Sequence, residues 1–151
     1  MSTLIIEKAK LKNLRDLIYL LFDDDLGKDR ENISETSFNN YKKSFMKILN
    51  DSNNEIFIMI LNDQIIGMMQ LTFIPGLSME GMTRCQIESV RIKKDYRNKG
   101  YGSELIKKGI EIAKLNKCGL IQLTSNKERL KAINFYEKLG FLSTHKSFKL
   151  D

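Results

Sequence analysis

The chain has 151 residues, 42% hydrophobic and 29% charged: enough for one globular domain with a real core, too few for two domains of ordinary size. Its 25 Lys and Arg against 19 Asp and Glu leave a net charge of +6, which suits a polyanionic ligand, either a phosphorylated cofactor or a nucleic acid. No apolar run approaches a membrane span, charges between Glu7 and Lys12 interrupt any leader-like segment, and Cys85, Cys118 and a lone His145 are too few for a disulfide framework or a zinc site. The expectation is a cytoplasmic protein with reduced, structural cysteines, no metal and no membrane contact.

Leu4-Ile5-Ile6 reads as a short strand, followed by an amphipathic helix carrying Leu11, Leu14, Leu17, Ile18 and Leu21. Asp23-Asp24-Asp25 ends that helix, where acidic groups oppose the helix dipole and gain nothing locally. A second helix is expected over residues 37–49, capped by Ser34 or Thr36. The period then changes. Residues 55–61 are continuously apolar, as in a strand covered on both faces, and Asn62-Asp63 turns the chain into another strand over 65–74. Pro75-Gly76 and Gly81 bracket a loop with Met79 and Met82, suited to packing or to an adaptable wall.

Residues 84–92 alternate as a strand and deliver the chain to Arg97-Asn98-Lys99-Gly100-Tyr101-Gly102. A helix follows, with Leu105, Ile106, Ile110 and Ala113 on one face, then a strand over 119–124. A helix over 130–139 carries Ala132, Ile133 and Tyr136 on one stripe, with Gly140 as its C-terminal cap, and residues 141–150 can form a closing strand. The order is β-α-α-β-β-β-α-β-α-β: an α/β mixed sheet with helices on its faces, in a single domain over 1–151 without repeat or linker.

The glycine turn is the most informative segment. Gly100 and Gly102 leave backbone N–H groups uncovered, and the helix behind them adds unpaired donors and the positive end of its dipole, so an anion such as a pyrophosphate is the natural guest. Arg97 and Lys99 add fixed charge. A dinucleotide fingerprint would need glycine at Leu105, and the only Gly-Lys pair, Gly27-Lys28, precedes Asp29 and cannot be a Walker loop.

Arg97, Gly100 and Gly102 fill the defined places of motif A of the GCN5-related N-acetyltransferases, and Asn134-Phe135-Tyr136-Glu137-Lys138-Leu139-Gly140-Phe141 resembles that family's motif B at the expected distance. The resemblance runs almost end to end. It implies the GNAT acyl-CoA N-acyltransferase fold, acetyl-CoA as cosubstrate, and direct attack by an amine, of a small molecule or a peptide, in a ternary complex without metal. It further implies that the turn opened by Arg97 and Asn98 holds the pyrophosphate through backbone N–H groups of Lys99, Gly100, Tyr101, Gly102 and Ser103. Val90 and Ile92 would align the pantetheine, with Arg91 among the basic neighbours serving the 3′-phosphate. In the family the strand here spanning 84–92 parts from the one over 119–124, and an N–H near Val90 would face the oxyanion. Dimers are common in the family; the residues themselves leave the oligomeric state open.

Acetyl transfer asks for a deprotonated amine, donors for the carbonyl oxygen and an acid for the thiolate. Glu88, placed by period two on the same strand face as Val90 and Ile92, is the candidate base; its alternative is a partner for Arg91 or Arg84. Tyr136 is the candidate acid, since a phenol near ~10 is protonated at neutral pH and can meet a thiolate whose acid lies near ~8.5; the alternative is a core tyrosine. His145 reads as a strand residue more readily than a base. The region after the first helix often borders the acceptor in this fold, so Asp23 to Asp25 could attract a cationic amine. Two departures stand out: Arg129 occupies the place, seven residues before Tyr136, where many members carry Asn, and the short end of the chain leaves room for one closing strand where members often have two. The rival class is a binding module, either an acyl-CoA-binding domain without catalysis or a basic nucleic-acid-binding surface. No recognised nucleic-acid-binding motif accompanies the charges, so no nucleic acid partner is expected.

Overall fold

The computed structural model describes residues 2–151. Strands β1 (Leu4–Lys8), β2 (Asn54–Leu61), β3 (Gln64–Pro75), β4 (Thr83–Ile92) and β5 (Leu120–Leu123) form one sheet in that spatial order. The first three pairings are antiparallel and β4 to β5 is parallel, as the helix between them requires. Helices α1 (Leu14–Phe22) and α2 (Glu35–Leu49) cover one face; α4 (Tyr101–Leu115) and α5 (Leu130–Lys138) cover the other. A single turn, α3 (Ser78–Gly81), lies in the β3–β4 connection.

Two apolar clusters follow from strand alternation. Phe57, Met59, Met69, Leu71, Cys85 and Ile87 meet Leu105, Ile106 and Ala113 of α4. Ile58 and Met68 face the other way, onto Leu14, Leu17 and Ile18 of α1 and Phe45 of α2. Because β2 and β3 are buried on both faces, their sequences read as nearly unbroken apolar runs. Asn62 and Asp63 take φ of 48° and 64°, the left-handed pair that a two-residue hairpin demands. Ser34 Oγ accepts from Ser37 N at 3.3 Å, so Ser34 and not Thr36 is the α2 cap. Gly140, at φ 94°, closes α5 with the N–H of Phe141 donating to Tyr136 O and its own N–H to Glu137 O.

Two expectations need correction. Leu11 lies in a short 3-10 turn ahead of α1 and is 41% exposed, so it does not belong to the helix stripe. The closing strand over residues 141–150 is not formed: no strand follows α5, and Leu142, Phe148 and Leu150 are 82%, 91% and 100% exposed. Its middle, residues 143–147, is polar throughout, so neither face of an added strand would gain by burial.

Candidate active site

Strand β4 organises the site through one irregularity. Gln70 pairs with Glu88 and Met68 with Arg91, so Met69 opposes two residues, Ser89 and Val90. Ser89 takes φ of 54°. This bulge shifts the parity of the strand. Ile87, Val90 and Ile92 all face the α4 cluster, whereas Glu88 and Arg91 share the α1 face. The expectation that Glu88 lies on the face of Val90 and Ile92 is therefore wrong: strict period two does not survive an inserted residue. Glu88 is exposed. Neither basic neighbour pairs with it, since Arg84 Nη1 reaches Gln122 Oε1 at 3.5 Å and Arg91 Nη2 lies 3.9 Å from Asp24 Oδ2.

The β4–β5 ladder ends at Ile87 and Leu123, while β4 runs on to Ile92. Beyond that point the two strands part. Lys93 N donates to Ile66 O at 2.7 Å on the β3 side, so alternation turns the main-chain groups of Ile92 and Val90 toward the opened edge. Their carbonyls are held from the protein side. Arg91 Nη1 donates to Val90 O at 2.9 Å, and Arg97 Nε to Ile92 O at 2.8 Å.

The glycine turn lies at the end of this opened edge. Asn98 and Gly100 take φ of 59° and 87°, and a Cβ built on Gly100 would meet nothing within 4 Å. The first helical bond of α4 runs from Glu104 N to Gly100 O, which leaves the N–H groups of Tyr101, Gly102 and Ser103 ahead of the ladder. Gly102 lies against α5, where a Cβ would make ordinary contact with Phe135 Cζ at 3.4 Å. Lys99 Nζ donates to Asp95 O at 2.9 Å. Arg97 does more than supply charge: its Nη2 donates to Asp23 O, and Asp23 also accepts from Lys94 N at 3.2 Å. The turn is thereby tied to the end of α1.

Beside it lies a cluster that sequence reasoning did not assemble. Asp24 Oδ2 accepts from Arg129 Nη2 and from Gly27 N, and Arg91 approaches the same oxygen. Burial works to raise the Asp24 carboxyl, but the charges of Arg91 and Arg129 and the hydrogen bonds from Arg129 and Gly27 outweigh it and hold the group below the usual carboxylate range. Asp23 Oδ2 also lies 3.7 Å from Arg97 Nη2, so Asp23 and Asp24 already have cationic partners, which removes the basis for reading these two as bait for a cationic amine; Asp25 is exposed. Tyr136 lies within the field of both arginines. Burial pushes its phenol up, with Arg91 and Arg129 pulling the other way, so it stays protonated at neutral pH. Its ring packs edge-on against Phe135 and Phe141, with centroids 5.1 and 5.9 Å away. His145 stands apart in the exposed tail beside Thr144. Cys85 is buried, its thiol pushed up to about 12 mainly by that burial, and is inert packing. Among the described residues no group of three or more His, Cys, Asp or Glu could hold a metal ion, and no helix is long and apolar enough to cross a membrane.

The model of the acetyltransferase (GNAT) family matches residues 13–141. Glucosamine 6-phosphate N-acetyltransferase of Trypanosoma brucei brucei is 33% identical over 88 residues, 58% of this chain and 58% of that protein. The chain therefore matches less than two thirds of that curated relative's length. A crystal structure of a transcriptional regulator from Bacillus halodurans C-125 superposes with a TM-score of 0.94 at 38% identity, over 99% of both chains. A predicted acetyltransferase with acetyl-CoA from Clostridium acetobutylicum shares the fold, with a TM-score of 0.79 at 19% identity over 99% of this chain and 96% of that one.

Proposed function

For a chain that belongs to the acetyltransferase (GNAT) family, we propose N-acetylation of an amine by acetyl-CoA, by direct attack in a ternary complex. The observation that carries this reading is the opened edge of β4: its ladder with β5 stops at Ile87 and Leu123 while the main-chain groups of Val90 and Ile92 turn into the gap. A strand edge exposed in this way can pair with an extended amide-bearing arm such as pantetheine. The turn over Lys99 to Ser103 fits a pyrophosphate, because its glycine at φ 87° leaves the donors uncovered.

Bound acetyl-CoA supplies an acetyl group activated as a thioester. Glu88, exposed on β4, takes the proton from the acceptor ammonium directly or through one water. The free amine then forms the new C–N bond as the C–S bond breaks. The Val90 N–H donates to the carbonyl oxygen as negative charge develops there. Tyr136 gives its phenolic proton to the departing sulfur, and the second proton shed by the new amide nitrogen leaves to solvent, from which the phenol is restored. Its raised value makes this transfer uphill but ensures that the proton is present.

A second reading, a regulator acting on nucleic acid, is favoured by the net charge of +6 and by the description of the Bacillus halodurans relative. Against it, no recognised nucleic-acid-binding motif accompanies the charges, Arg97 and Lys99 are bent back onto carbonyls of the protein, and Arg91 is largely buried beside Asp24. Thiol release from acetyl-CoA over a panel of amines, amino acids, polyamines and peptides separates the readings, with Tyr136→Phe as the internal control. The substitution removes one hydroxyl and little volume, so melting temperature and acetyl-CoA affinity should hold while kcat falls roughly 10²–10⁴-fold. Near-normal turnover in the variant would sink the acid assignment. Oligonucleotide binding that coenzyme A does not displace would favour the regulator.

A further inference from the structure

The charges of the Asp24 cluster do not cancel. Arg91 and Arg129 share one carboxylate, and both approach the same oxygen, Oδ2, which also takes the Gly27 N–H. Arg30 adds its field to Arg91, and the nearest carboxylate to Arg30, Glu31, sits 3.8 Å away while accepting from the Tyr41 hydroxyl. Arg91 Nε is buried without any hydrogen-bond partner. A partly buried site with two guanidiniums, one carboxylate and an unpartnered donor is short of negative charge.

We infer that this cluster is the subsite for an anionic group, a phosphate or a carboxylate, carried by the acceptor amine. The inference rests on the acetyl-transfer reading and names the acceptor class within it. Arg91 stands three residues beyond Glu88 on the same face of β4, about 10 Å along the strand at most. That spacing matches a small molecule with an amine at one end and an oxyanion at the other. Arg129 immediately precedes α5, the helix that carries Tyr136, and both arginines act on that phenol, so the cluster lies at the reacting end. The two arginines divide the work by exposure. The Arg129 side chain is 26% exposed and would touch the anion; that of Arg91, 11% exposed, backs it. A polycationic acceptor would meet repulsion here. Arg129 also stands where many members of the family carry Asn, so this specificity would belong to the chain and not to the fold.

The test uses matched acceptors: glucosamine 6-phosphate against glucosamine, O-phosphoethanolamine against ethanolamine, and β-alanine against propylamine. Initial rates of thiol release should give kcat/KM roughly 10–100-fold higher for the anionic member of at least one pair. The phosphate and carboxylate pairs tell which oxyanion is preferred. Arg129→Gln should collapse that ratio, chiefly through KM, and Arg129→Lys should restore part of it; melting temperatures confirm that both variants are folded. Transfer without preference for the anionic members, or a ratio that survives Arg129→Gln, overturns the inference and leaves the acetyltransferase reading intact. If none of these amines is turned over, calorimetric titration of O-phosphoethanolamine and ethanolamine into the coenzyme A complex decides, equal binding being the overturning result. Failure to bind acetyl-CoA overturns both.

Discussion

Gly100→Val tests the phosphate turn, and its cost can be worked from the backbone. Gly100 has φ of 87° and open space around its missing Cβ, so the Cβ of a valine there would meet nothing and the main cost to stability is that of its conformation. An L-residue in the left-handed region costs about 1–2 kcal/mol, with a β-branched side chain at the upper end. For a domain of this size that is a fall of roughly 2–8 °C in melting temperature, leaving the protein folded. Binding should suffer far more, because the side chain would cover or displace donors aimed at a doubly charged pyrophosphate. Losing one or two charge-assisted hydrogen bonds weakens acetyl-CoA by about 100-fold or more. Gly81→Val supplies the matched control. It has φ of 79°, nearly open surroundings and a place in the β3–β4 connection, at the opposite end of β4. It should lose similar stability and keep its affinity. The assay is calorimetric titration with acetyl-CoA beside a thermal melt. Affinity within about threefold of the parent in folded Gly100→Val would remove the phosphate-cradle reasoning, and an equal loss in Gly81→Val would assign the effect to strain.

Glu88→Gln should lower kcat/KM most at mildly acidic to neutral pH, where an ordinary amine is almost wholly protonated, and the deficit should shrink as pH rises; an unchanged pH–rate profile would relieve Glu88 of the role. Asp24→Asn should cost roughly 1.5–3 kcal/mol near neutrality, because it removes the carboxylate from two guanidiniums. Asp24 is held below its ordinary value of 3.8, so its contribution is complete above that value and disappears as pH falls through the lower folded one. Urea unfolding at pH 7 and near pH 3 should show the gap between parent and variant closing in acid, and a gap of equal size at both would contradict the ionic account.

What could be read from the sequence was what is written locally. The Asn62-Asp63 hairpin, the Ser34 cap and the Gly140 terminus each depend on a residue type within a few positions of its partner, and all three are present. The glycine turn is equally local. The rest of the site depends on contacts the chain cannot announce. Asp24 and Arg129 are 105 positions apart, and neither carries a mark of the other. The one available hint was Arg129 standing in the usual place of an Asn. The bulge was hidden for a different reason: Ser89, a residue without preference for positive φ, occupies the position that glycine would have flagged. The tail reads as a strand when its apolar residues are counted and fails when they are assigned to faces.

That bulge sets two substitution grammars within one strand. Ahead of Ser89 the odd positions Cys85 and Ile87 must be apolar, and after it the even positions Val90 and Ile92 must be. A designer who carried the first rule forward would bury Arg91 against α4 and turn Val90 out. Removing Ser89 would leave both faces as they are: pairing with β3 would become regular, Val90 would follow Glu88 directly and stand opposite Met69, and Arg91 would stay opposite Met68 on the α1 face. What such a deletion would take away is the left-handed residue itself and the break it puts in the β3–β4 ladder beside the opened edge, so the bulge serves the main chain of the site and not the facing of its side chains.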